Sequence, residues 1–130
     1  MDTTNRGQLP KSWVLLDNQS TVHIFSNPDL LRNIRTTNKH VNVNCNAGAT
    51  RTNMIGDLKG VGTVWYHPEG IANILSMALI ENDYDVTYSK QEGFVVHKKD
   101  GTVRRFTKST RGLFYICLLY TSDAADELSR

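Results

Sequence analysis

Cysteine is scarce. The 130 residues hold only Cys45 and Cys117, with no C-x-x-C pair, too few for a disulfide-stapled scaffold or a thiolate zinc site. His23, His40, His67 and His97 stand singly, none at ligand spacing from another. No metal and no cofactor is expected. Charge of one sign is lacking too: 15 basic against 13 acidic residues leave a net +2, too mild to call for a nucleic-acid partner. No apolar run approaches the roughly 20 residues of a membrane span, and Met1 to Lys11 has no apolar core of the secretory kind. The expectation is a soluble, intracellular chain with no membrane partner. Internal repeats and low-complexity tracts are absent.

The most informative stretch is Trp13-Val14-Leu15-Leu16-Asp17-Asn18-Gln19-Ser20-Thr21. Four apolar residues read as a strand buried on both faces, and they run directly into a carboxylate followed by small or polar loop residues. Bringing a carboxylate to the end of a buried strand costs several kcal/mol unless hydrogen bonds or a shared proton compensate, so such an acid usually has a task. The structural alternative is a strand-to-turn junction with Asp17 capping the turn.

Met1 to Lys11 is polar and precedes the first strand as a linker, residues 1–11. Thr21 to Phe25 alternates as a second strand, which puts His23 off the Val22 and Ile24 face and on the surface. Asn27-Pro28 predicts a helix start, with Asn27 as cap and Pro28 at the first helical position. Val41 to Asn46 has a clean period of two and enters a turn at Asn46-Ala47-Gly48, the pattern of an exposed hairpin. Gly60-Val61-Gly62 precedes the strand at Thr63 to Tyr66 and opens no helix, so it is no nucleotide loop. Ile71 to Ile80 reads as a buried strand end passing into a short helix that stops near Asn82. The last third is strand-rich: Asp85 to Ser89, Phe94 to Lys98, Thr102 to Phe106 and Leu113 to Ile116, with Asp100-Gly101 as a hairpin turn. Cys117 to Arg130 resembles the in-frame translation of a transposase-type sequencing adapter, so residues 117–130 are set aside as an assembly scar. On that reading the natural chain continues past Ile116.

The order of these motifs resembles the retroviral-type aspartic protease, most closely that of copia-type LTR retrotransposon Gag-Pol polyproteins. Trp13-x-Leu15-Leu16-Asp17-x-x-Ser20-Thr21 is similar to the family's Trp-x-Leu-Asp-Ser-Gly-Ala-Ser region. Asn46-Ala47-Gly48 is similar to its Ala-Asp-Gly turn, and Gly60 to Val64 to its Gly-x-Gly-Thr-Val. Tyr66-His67-Pro68 and Asn73-Ile74-Leu75-Ser76 resemble its Tyr-Val-Pro and Asn-Leu-Ile-Ser, and Arg111 to Tyr115 resembles the approach to its pre-integrase region. Asn18 and Gln19 stand where the family has Ser or Thr and then Gly.

The resemblance implies an all-β, small retropepsin-like partly closed barrel with one or two short helices over residues 12–82, followed by a β-hairpin extension over 83–116. It implies an aspartic endopeptidase that is homodimeric, because one chain supplies one acid in such a setting and the reaction needs two carboxylates sharing a proton. Asp17 is the implied catalytic residue, in an active-site loop with Asn18, Gln19, Ser20 and Thr21. Asn46, Ala47 and Gly48 form the implied flap, and Asn73, Ile74, Leu75 and Ser76 wall the loop. The implied substrate is polyprotein peptide, and the implied setting is cytoplasmic, within virus-like particles. Two other readings stay open: a catalytically inactive dimerisation or spacer module of the same fold, and a nucleic-acid-binding β-domain using Lys98, Lys99, Arg104, Arg105, Lys108 and Arg111.

Overall fold

The computed structural model describes residues 9–45 and 48–118. Its centre is β1 (Trp13–Asp17), where Val14, Leu15 and Leu16 are all buried. A strand buried on both faces needs neighbours on both edges. On one side β6 (Asn73–Ser76) runs parallel to it, pairing Val14 with Asn73, Leu15 with Ile74, Leu16 with Leu75 and Asp17 with Ser76. On the other, β10 (Phe114–Cys117) runs antiparallel, with Trp13 opposite Cys117 and the Trp13 and Tyr115 rings stacked 3.8 Å apart.

Beyond β6 lies β2 (Ile24–Phe25), so β6 sits between two strands that are consecutive in the chain. Next come β5 (Gly62–Tyr66), β4 (Gly48–Leu58) and β3 (Arg32–Cys45). The other half continues from β10 through β9 (Val103–Lys108) and β8 (Gly93–His97) to β7 (Asp85–Ser89). All ten strands form one mixed sheet with β3 and β7 at its edges. The chain is mostly β, as expected. Among the described residues the sheet does not close, and β3 and β7 do not pair with each other.

Two short helical pieces interrupt the strands. Asn27 caps a single 3-10 turn at Pro28–Leu30, its side chain accepting from Asp29 N–H, as the Asn-Pro pair predicts. Ser76 caps α1 (Met77–Asp83), whose buried Met77 and Ile80 face the core. That core gathers Val14, Leu16, Phe25, Leu75, Val96 and Phe106 from both halves of the sheet. Each such side chain contributes about 1.5–3 kcal/mol by leaving water.

The stretch from 83 onward is hydrogen-bonded into the core sheet through the β1–β10 pair. Cys117 ends β10, its backbone opposite Trp13, and Leu118 is buried with its N–H donating to the Ser12 carbonyl at 2.7 Å.

Candidate active site

Asp17 is the last residue of β1, half-buried at the point where the strand leaves the sheet. Its Oδ1 accepts the Gln19 N–H at 2.9 Å, which closes a tight turn over Asn18. The turn-capping alternative is therefore realised in the same carboxylate that points to chemistry. Asn18 and Gln19 are exposed. Among the described non-glycine residues only Asn33 has a positive φ, so Gln19 fits the loop without the left-handed backbone that would demand glycine.

The loop is fastened from behind. Ser20 is half-buried, with its hydroxyl donating to the Val22 carbonyl at 2.7 Å, and Thr21 is exposed. Ser76 has no solvent exposure and makes three bonds. Its hydroxyl donates to the Ser20 carbonyl at 2.7 Å and accepts from the Leu79 N–H at 3.3 Å, while its N–H donates to His23 Nδ1 at 2.9 Å. One residue thus joins the end of β6, the start of α1 and the loop that follows Asp17.

His23 is buried, contrary to the surface position expected from alternation. The strand is only Ile24–Phe25, so His23 precedes the pleat that the alternation assumed. Burial lowers its pKa below the ordinary imidazole value. Sequence reasoning missed it because nothing local marks a histidine whose partner is 53 residues away.

Asp17 faces an open cleft of about 720 Å³. Leu15, Leu16 and Asn18 line it from the β1 side, and Tyr88, Phe94 and Phe114 from the other half of the sheet. Phe94 and Phe114 meet edge to face, with centroids 4.7 Å apart. The cleft has the volume of a ligand site, and Asp17 is the only acid among its lining residues. Two other acids are engaged elsewhere. Asp57 binds Asn33, Thr63 and Arg35, and the Asn33 hydrogen bond leads the causes that hold its pKa below the usual carboxylate range. Asp100 is held low by the Thr102 hydroxyl across the β8–β9 turn.

The remaining expected site residues are dispersed. Leu75 and Ser76 stand beside the Asp17 end of β1. Asn73 and Ile74 do not wall the loop, because the parallel register sets them beside Val14 and Leu15. Asn73 is instead a buried fastener. Its Oδ1 accepts from Ser26 and Asn27 N–H groups at 3.0 and 2.9 Å, and its Nδ2 donates to the Lys11 and Trp13 carbonyls, both at 2.9 Å. Of the implied flap, Asn46 and Ala47 lie outside the described residues, and Gly48 opens β4 opposite Cys45. No described residue of β3 or β4 lines the Asp17 cleft. Among the described residues no three His, Cys, Asp or Glu side chains gather as a metal site, and no helix is long and apolar enough to cross a membrane.

No protein-family model, curated protein or solved structure matches the chain.

Proposed function

We propose that this chain is the aspartic endopeptidase of a copia-type retrotransposon polyprotein, acting as a retropepsin-like homodimer. The reading rests on the order of the sequence motifs. The observation that supports it most is the seat of Asp17: one carboxylate at the end of a buried strand, braced through Ser76, at the mouth of an open cleft.

One acid per cleft is half of the required machinery. In the proposed dimer each subunit brings its Asp17 to a twofold axis, and the two carboxylates share one proton because both cannot ionise so close together. The ionised partner takes a proton from water, whose oxygen attacks the scissile carbonyl carbon. The protonated partner donates to the carbonyl oxygen, and collapse of the tetrahedral intermediate releases the amine after it takes up a proton. The substrate is an extended peptide held as an added strand. No metal or cofactor takes part, and the setting is the cytoplasm, inside virus-like particles.

One feature favours a second reading, a non-catalytic dimerisation module of the same fold. Asn18 and Gln19 replace the hydroxyl and the glycine that the family places after its acid. The test is peptide cleavage by the full chain at mildly acidic pH. Wild type cleaves and is blocked by a transition-state peptide inhibitor of aspartic proteases, while Asp17→Asn is inert. No cleavage by a folded dimer, with activity gained on Gln19→Gly, identifies the non-catalytic module.

A further inference from the structure

The bond between the Ser76 backbone and the His23 ring has a consequence for the neighbouring acid. The donor is a backbone N–H, so Nδ1 must offer a lone pair, and at 2.9 Å in a buried site the ring is the neutral tautomer with its proton on Nε2. An imidazolium would set N–H against N–H. Its only relief is for the ring and the Ser76 backbone to separate. Ser76 cannot move alone, because its hydroxyl holds the Ser20 carbonyl and it sits opposite Asp17 in the β1–β6 register.

We propose that His23 is a positioning residue, a neutral-imidazole clamp that holds Ser76, and through it the Asp17 loop, in place and releases both on protonation. The inference deepens the protease reading as a regulation of the same site, and it rests on that reading only for its effect on cleavage.

The surroundings leave the clamp free of competing charge. On β5, whose Trp65 N–H donates to the His23 carbonyl at 3.0 Å, Tyr66 is the one titratable side chain. On β6 there is none, and α1 carries Glu81 and Asp83 toward its far end. The loop itself brings Asp17. None of these acts on the ring by charge: burial alone drives its pKa down. The clamp therefore holds at neutral pH and opens toward the acidic range in which a carboxylate dyad works. Loss of His23 neutrality would then set an acid limit separate from titration of the acids.

The experiment is an NMR titration of the full chain, following the His23 ring nitrogens and deuterium exchange at the Ser76 amide. As pH falls from about 6.5, the ordinary imidazole value, toward the His23 midpoint, the Ser76 protection factor falls by up to about tenfold per pH unit. Asp17 to Ser20 resonances move with the same midpoint. The step persists in Asp17→Asn, which removes the carboxylate, and vanishes in His23→Gln, whose amide does not titrate. A Ser76 amide that stays protected while His23 protonates in wild type overturns the clamp, as does a step lost in Asp17→Asn. The wild-type titration decides the matter even if His23→Gln does not fold. Absence of proteolysis tells against the protease reading and leaves these readouts intact.

Discussion

Asp17 and Ser76 are register partners at the ends of parallel β1 and β6, and the Ser76 hydroxyl reaches past that pair to the Ser20 carbonyl. The acid and the residue that braces its loop are thus delivered by two adjacent buried strands.

Ser76→Ala removes the Ser20 bond and the α1 cap together while leaving the His23 bond, which uses the backbone. The expected cost is about 1–2 kcal/mol in urea unfolding. Cleavage falls further than stability does, since Asp17 is intact but its loop is loosened. Equal activity per folded molecule would show that the brace has no catalytic role.

Asn73→Leu keeps the branching and number of heavy atoms and strands the four backbone groups that the amide satisfies. A loss of more than about 3 kcal/mol is expected, because each buried unpaired group costs about 1–3 kcal/mol. Asn73→Asp does no better, since a carboxylate turned toward the Lys11 and Trp13 carbonyls repels them. Chemical denaturation of both variants checks this.

Gly93 and Gly101 both have positive φ, at 76° and 90°, but their surroundings differ. A Cβ on Gly93 would lie 2.3 Å from the Phe106 carbonyl oxygen, whereas one on Gly101 would meet nothing within 4 Å. Gly101→Ala is expected to cost about 1 kcal/mol of backbone strain. Gly93→Ala costs at least about 2 kcal/mol, because β8 and β9 must also move apart. Similar thermal midpoints for the two variants would contradict the close approach.

Stability falls with acid on account of His23. Its folded-state pKa is depressed, so the unfolded chain binds the proton more readily. The stabilisation from the neutral ring is complete above the ordinary value of about 6.5 and is lost as pH falls from there through the folded-state pKa. Thermal unfolding between neutral and mildly acidic pH should show this slope in wild type and a shallower one in His23→Gln.

Elements set by neighbouring residues were legible in the sequence. Asn27-Pro28 announced its turn, Asp85 to Ser89 its strand, and Ile74 to Leu79 the passage from strand to helix, because capping and periodicity act within a few residues. Arg32 to His40 was not legible. It is polar and without alternation, yet it extends β3 to 14 residues by pairing with β4 across register shifts. Nor was the closure of β10 onto β1, a contact between chain ends that no local pattern encodes. At the candidate site, Asp17 stood out because a carboxylate after three buried apolar residues is costly. His23 and the fastening role of Asn73 depend on partners 46 to 62 residues away, a separation at which side-chain type no longer predicts contact.

We propose Asp17 as the acid of a peptide-cleaving dimer. The most direct measurement incubates wild type and Asp17→Asn with a peptide library at mildly acidic pH, reads products by mass spectrometry, and determines subunit stoichiometry by sedimentation. The expected result is a dimer whose cleavage products disappear in Asp17→Asn while folding and dimerisation persist. Products that survive in Asp17→Asn, or a folded wild-type protein that yields none, would contradict it.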